Sequence, residues 1–207
     1  MKRRMSAKSV HKALMAVVYA SSALIILLVI MAISQGPKRI CLLGDSTMAG
    51  EYIGPSIHDS RPDIGAIDNR AKVGSRVEQI PVVAGYDTVF VLTGINNIYA
   101  GEPASRIMGR MIKLNSELKI CNKHVIFICP LPCQNYRLWT PAIQTQLDRL
   151  FIYMVGTRGF ESKRMQPYMS DDNRTLRLEY DAGDGLHLSG DGQYRLGGIL
   201  SLIVITH

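Results

Sequence analysis

Ser46, Asp184 and His187 are residue types that together can open an ester. Ester cleavage near neutral pH needs a nucleophile, a base to take its proton and a group that orients the base. Asp184 precedes His187 by three residues, so in a tight turn its carboxylate can reach the imidazole Nδ1 and fix the tautomer. Donors for a developing oxyanion are available in the backbone N–H groups of Ser46 and Gly74 and in the side-chain amide of Asn96. A glycine at 74 lets the backbone approach a ligand with no Cβ in the way. Each of these residues also has a plainer reading. Ser46 could cap a helix, Asp184-Gly185 could be a turn, His187 a helix flank, Asn96 a loop residue and Gly74 a turn glycine.

The elements around them narrow the choice. Ile40–Leu43 is a short apolar run that reads as a buried strand, followed by a turn at Gly44-Asp45 and an expected helix over Thr47–Tyr52. A serine at such a corner has its own N–H at the positive end of a helix, which suits a nucleophile whose attack creates an oxyanion. Glu51–Gly65 reads as a loop, and 66–70 as a short second strand. A brief helix is expected over Ser75–Ile80. Thr88–Leu92 is a β-branched strand that runs directly into Thr93-Gly94-Ile95-Asn96-Asn97. Polar residues at a strand's C-terminal end stand where open α/β sheets bind ligands.

Pro103 opens a helix with Ile107, Met108, Met111, Ile112, Leu114 and Leu118 on one face, and Val125–Cys129 is a fourth strand. Thr140-Pro141 caps a further helix that ends near Gly156 or Gly159. A last strand is expected around Leu176–Tyr180, and a last helix over Gly190–Ile205. Alternating strands and helices are the signature of a parallel α/β sheet.

Taken together, the motifs resemble the SGNH hydrolase family, the GDSL-like lipases and esterases. Gly44-Asp45-Ser46 is similar to its first block, Gly74 to its second, Gly94-Ile95-Asn96-Asn97 to its third and Asp184-Gly185-Leu186-His187, with Gly192 following, to its fifth. They occur in the family's order and span about residues 40–200. Thr47 stands where the family's name implies leucine, Ala71 where relatives often carry glycine, and Asn97 where they often carry aspartate; none of these removes a reacting group. The resemblance implies a three-layer α/β/α fold with a parallel central sheet of about five strands, ordered as in flavodoxin, and a shallow site at the strands' C-terminal edge. It implies Ser46, His187 and Asp184 as the triad, Ser46, Gly74 and Asn96 as the oxyanion hole, and no metal or organic cofactor.

The rest of the sequence bears on where such chemistry would occur. Residues 13–33 carry no charge, and as a helix they would span roughly 30 Å, the thickness of a bilayer core. Lys2, Arg3, Arg4, Lys8 and Lys12 precede the run, and no acidic residue occurs before Asp45. That asymmetry orients an N-terminal transmembrane helix with its start in the cytoplasm and everything after it in the periplasm or outside the cell. The run exceeds the roughly 7–15 residues of a usual signal-peptide core, so an uncleaved signal anchor is expected over a cleaved one. The expected organisation is a basic cytoplasmic tail over 1–12, an anchor over 13–34, a linker over 35–39 and a hydrolase-like domain over 40–207.

Net charge is +7, but five of the positive side chains lie in the first twelve residues, so the basic balance is a topology signal and not a nucleic-acid footprint. No nucleic-acid partner is expected. Cys41, Cys121, Cys129 and Cys133 fall in the exported part, where disulfides can persist, and the sequence does not choose their pairing. Cys41 reads as core, while Cys129, Cys133 and His124 are too few for a well-matched zinc site.

The expected partner is a small-molecule or glycan ester, with a slight preference for an O-acetylated envelope or extracellular glycan. Within the family the alternatives are an acyltransferase, a lysophospholipase or a thioesterase; outside it stands a non-catalytic glycan-binding or assembly protein.

Overall fold

A computed structural model describes residues 7–34 and 38–205. The chain divides into two compact units, one ending at Pro37 and one beginning at Lys38. The first is the helix α1, Ala7–Ser34. Its described side chains from 14 to 27 are all exposed, including Leu14, Val17, Leu24 and Ile25. Among the described residues no helix is long and apolar enough to cross a membrane. Much of the expected tail, at 1–6, and of the linker, at 35–37, lies outside the described residues, as do the side chains of 28–34 within the expected anchor.

The second unit is built on a five-stranded, all-parallel sheet. Its strands are β1 (Lys38–Gly44), β2 (Ile64–Asn69), β3 (Thr88–Leu92), β4 (His124–Ile128) and β5 (Ser162–Lys163). Their order across the sheet is β2-β1-β3-β4-β5, with Leu43 opposite Val91 and Val91 opposite Phe127. β3 is buried at every residue, and β1 and β4 at all but their first residues, because helices cover both faces.

On one face α4 (Ala104–Cys121) and α5 (Pro141–Gly156) bury Ile107, Met111, Leu118, Leu150 and Met154 against Cys41, Val89, Val91 and Phe127. On the other, α2 (Ile53–Ser60) and α7 (Gly190–Ile205) bury Ile53, Ile57, Leu196 and Leu200 against Ile40, Leu42 and Phe90. Two short helices, α3 (Ile95–Tyr99) and α6 (Gln166–Met169), lie beyond strand ends. Thr140 caps α5 as expected, its hydroxyl accepting from the Ile143 N–H at 3.2 Å.

The structure departs from the sequence expectations at four places. The segment after Ser46 is a single turn, in which the Asp45 carbonyl accepts from the N–H groups of Met48 and Ala49 (3.1 and 3.0 Å), and no helix runs over Thr47–Tyr52. Gly50 follows it, packed so closely on the Gln193 side chain that a Cβ at 50 would lie 2.5 Å from it. Helix α2 then forms inside the expected 51–65 loop. Its own sequence signals little, and it is held by packing on α7, with the Ser56 hydroxyl donating to the Tyr194 carbonyl at 2.5 Å. The last strand is the two-residue β5, while Leu178–Tyr180 is a 3-10 turn. Lys38 and Arg39 belong to β1 and not to a linker. The Arg39 N–H donates to Asp87 Oδ2 at 2.8 Å, and its guanidinium lies 5.0 Å from the centre of the Tyr86 ring. The four cysteines are unpaired. Burial pushes the Cys41 and Cys129 thiols up to about 11 and about 12, as expected of packing groups rather than reactive ones.

Candidate active site

Strand β1 delivers the turn that carries Ser46. Gly44 has φ +154°, and a Cβ there would fall 2.1 Å from the Leu92 carbonyl oxygen, so only glycine lets β1 leave the sheet this close to β3. The Asp45 N–H donates to that same carbonyl at 3.1 Å. Asp45 is fully buried; its Oδ1 accepts from the Thr47 N–H at 3.0 Å, and its Oδ2 has no partner. Burial pushes this carboxyl up to about 6, against the opposing donation from Thr47. Asn69, at the end of β2, ties the turn to its neighbour. Its amide donates to the Met48 carbonyl at 2.9 Å, and its Oδ1 accepts from the Ala71 N–H at 3.1 Å.

The loop 181–188 brings the acid and the base to the same rim. Ser46 Oγ lies 3.0 Å from His187 Nε2, and His187 Nδ1 lies 2.6 Å from Asp184 Oδ2. Asp184 Oδ1 accepts from the N–H groups of Leu186 (3.0 Å) and His187 (2.9 Å). Partial burial raises the Asp184 carboxyl, but these backbone bonds and the imidazole outweigh it and hold the group down to about 2. The three residues singled out from the sequence are thus in series, hydroxyl to imidazole to carboxylate.

Gly74 sits on the loop that follows β2 and Asn96 in the first turn of α3, directly after β3, so they lie on either side of β1. Gly74 has φ +76°, and no atom lies within 4 Å of a Cβ built there. Asn96 Nδ2 donates to the Ser75 carbonyl at 3.0 Å, which joins the two segments and leaves the second amide hydrogen for another acceptor. Val73, 79% exposed, shares a groove of about 460 Å³ with Ser46, Ala49, Gly50, Glu51 and His187.

Asn97 is fully buried. Its Oδ1 accepts from the Val77 N–H at 3.0 Å, and its amide donates to Glu78 (3.0 Å) and Glu102 (2.6 Å). Among the described residues no group of histidine, cysteine and carboxylate side chains could hold a metal.

Two positioning residues escaped the sequence reading. The Asp181 carboxylate accepts from the N–H groups of Gly183, Asp184 and Gly185, at 2.8, 3.1 and 2.9 Å to Oδ1, and so folds the loop that carries the acid and the base. An aspartate two residues before a glycine is an Asx-turn signal and could have been read as one. Gln193 accepts from the Tyr52 N–H (3.2 Å) and donates to the Leu188 carbonyl (3.1 Å), bridging the segment after the nucleophile to the base loop; nothing in the sequence marks it.

A five-stranded parallel sheet in 2-1-3-4-5 order, covered by helices on both faces, carries a serine, an imidazole and a carboxylate in series at its C-terminal rim. No family model and no curated protein sequence matches this chain. Solved structures do. A lipase/acylhydrolase from Enterococcus faecalis aligns at 17% identity and TM-score 0.65, covering 81% of this chain and 95% of that one. A GDSL-like lipase from Bacteroides thetaiotaomicron VPI-5482 aligns at 17% identity and TM-score 0.62, covering 82% and 89%. An acetylxylan esterase from Geobacillus stearothermophilus gives 17% and 0.62, covering 81% and 93%. The fold of this chain is the one these GDSL-type structures share.

Two outcomes follow from this geometry. Asp181→Ala frees three backbone N–H groups and lets His187 drift, so the rate at which a fluorophosphonate labels Ser46 falls at least tenfold. Asp181→Asn keeps an acceptor oxygen and loses much less. The second outcome concerns Asp45. Its folded carboxyl, at about 6, lies above the roughly 3.9 of an unfolded aspartate. The folded chain therefore holds the proton more tightly, and stability is greatest below pH ~4 and declines as pH rises through about 6. Urea unfolding across pH 4–7 should show a decline on the order of 3 kcal/mol that Asp45→Asn removes.

Proposed function

We propose that this chain is an SGNH-type serine esterase, held at a membrane by its N-terminal helix, that hydrolyses an acyl ester, in particular an O-acetyl group on an envelope or extracellular glycan. The observation that carries the reading is the unbroken series from Ser46 Oγ through His187 to Asp184, at 3.0 and 2.6 Å. Ser46 Oγ attacks the ester carbonyl carbon as its proton passes to His187 Nε2. Asp184, held ionised, stabilises the imidazolium that results. The carbonyl oxygen becomes an oxyanion, and the N–H groups of Ser46 and Gly74 with the free amide hydrogen of Asn96 are its donors. Collapse of the tetrahedral intermediate breaks the ester C–O bond, and the alkoxide leaves with the proton from His187. Water, deprotonated by the same imidazole, then releases the acid and restores Ser46.

Three features favour a small acyl group on a large alcohol. The groove at Ser46 is open, its walls include Ala49 and Gly50, and the Gln193 carboxamide packed against Gly50 blocks extension on that side. A long acyl chain finds no tunnel there. One of the solved structures that share the fold is described as an acetylxylan esterase, which is in keeping with this substrate class.

The membrane part of the proposal rests on the uncharged run over 13–33, the five cations before it and the continuous helix Ala7–Ser34. It assigns the N-terminus to the cytoplasm and the hydrolase domain, Lys38 onward, to the periplasm or cell exterior.

Hydrolysis of p-nitrophenyl acetate should fall roughly a thousandfold or more in both Ser46→Ala and Asp184→Asn, with unfolding midpoints of Ser46→Ala unchanged. In a panel running from acetyl to long-chain esters, activity should concentrate at acetyl and include acetylated glycans. Preference for long chains, or transfer of the acyl group to a glycan acceptor in place of water, would displace this reading. The anchor is tested separately: the chain should stay with membranes through an alkaline carbonate wash and be digested by protease added from the outer side.

A further inference from the structure

A second cavity of the unit that begins at Lys38 lies away from Ser46. A groove of about 470 Å³ runs between the second half of α7 and the β5–α6 segment, within the size range of small-molecule sites. It shares no lining residue with the groove at Ser46. Helix α7 starts three residues after His187, and at about 1.5 Å per residue Leu202, at the groove's far end, lies some 18 Å further along it.

Its composition is divided. Met165 and Ile199, nearly fully buried, form an apolar wall with Ile203, while Leu202 and Tyr168 stand 62% and 48% exposed at its edge. Lys163, Arg164 and Arg195 supply three cations to the rim, and no acidic side chain lines it. Lys163 is partly engaged by Glu161 at 3.4 Å, and Arg164 lies 5.0 Å from the centre of the Phe151 ring. The Arg195 guanidinium has no hydrogen-bond or ion-pair partner among the described residues. Asp59, the neighbour of lining residue Ser60, accepts from the Tyr194 hydroxyl at 3.0 Å.

An apolar trough with cations at its mouth is complementary to a molecule with one hydrocarbon tail and an anionic head. A polar anion such as a sugar phosphate would satisfy the cations but leave Leu202 and Ile203 against its hydroxyls. A neutral tail would leave Arg195 unpaired. We propose that this groove is a second binding site, separate from the triad, for a single-chain anionic amphiphile, its head at Arg195 and Lys163 and its tail along Ile199, Leu202 and Ile203. The head's chemistry, carboxylate or phosphate, distinguishes a fatty acid from a lysophospholipid.

The full chain in phosphatidylcholine nanodiscs, photolysed with a sixteen-carbon fatty acid carrying a mid-chain diazirine, tests this. Mass mapping should find label on the peptides containing 163–168 and 195–203. Oleate or lysophosphatidate should compete it away, identifying the carboxylate or the phosphate head respectively, and a neutral monoacylglycerol should not. Leu202→Asp and Arg195→Glu, both at exposed positions, should each cut groove labelling at least fivefold, with p-nitrophenyl acetate hydrolysis unchanged. Absence of label from these peptides, labelling insensitive to both variants, or equal competition by the neutral lipid would overturn the site. Because hydrolysis is read on the same samples, a failure here is distinguishable from a failure of the esterase reading.

Discussion

The His187 imidazole is held at both nitrogens, by Asp184 at 2.6 Å and by Ser46 at 3.0 Å, and the rest of the molecule is arranged so that these two bonds can coexist. Ser46 and His187 are 141 residues apart in sequence, and each is carried by a turn whose shape is fixed locally. On the nucleophile side Gly44 brings β1 against the Leu92 carbonyl. On the base side two carboxylates divide the backbone donors of one loop, Asp181 taking those of 183–185 and Asp184 those of 186 and 187. Gly192 completes the clamp, since a Cβ there would lie 2.4 Å from the Tyr180 carbonyl, and α7 can therefore start directly against the 178–180 turn. Ordering of this kind is set at folding, and a reaction at the rim then need not supply it.

Asn97 illustrates how a departure from a family pattern can be compensated. An aspartate in its place would bring a third carboxylate beside Glu78 and Glu102, in a buried position with a single guanidinium, Arg110, in contact at 2.7 and 3.1 Å. The amide supplies two donors to those two acids and keeps an acceptor for the Val77 N–H, so the cluster closes. Through Val77 it fixes the end of the loop that carries Gly74, and Asn96 fixes the middle of it through Ser75. The residue that deviates thus supports the positions that do not.

What was legible in the sequence followed from burial and from local turn chemistry. β1, β3 and β4 are runs of apolar residues because helices cover both faces, and α4, α5 and α7 carry their core face in their own periodicity. The triad was legible because Asp184 and His187 lie within one turn and Ser46 follows a strand. α2 was not, since Gly54-Pro55 interrupts it and its stability comes from α7, whose Gly197 lets the Ile53 carbonyl approach to 2.5 Å of a would-be Cβ. β5 was not, because two residues carry no pattern. The turn after Ser46 was misread as a helix, and the Gln193 side chain packed against Gly50 beyond it comes from a residue more than a hundred positions away.

Two carboxylates flank the chemistry, and their surroundings push them in opposite directions. Asp184 is partly open to water, yet three donors hold it down to about 2, so it is ionised near neutral pH. Asp45 lies under the nucleophile, fully buried with one oxygen unpartnered, and burial lifts it to about 6. The electrostatic influence of His187 is one of the forces that limit this rise. A fold selected for stability alone would put an apolar side chain at 45. The carboxyl is kept where the chain must turn sharply, take one bond from Thr47 and leave Ser46 projecting at the rim, so the cost of its burial is concentrated at the one corner where local geometry matters most to the chemistry.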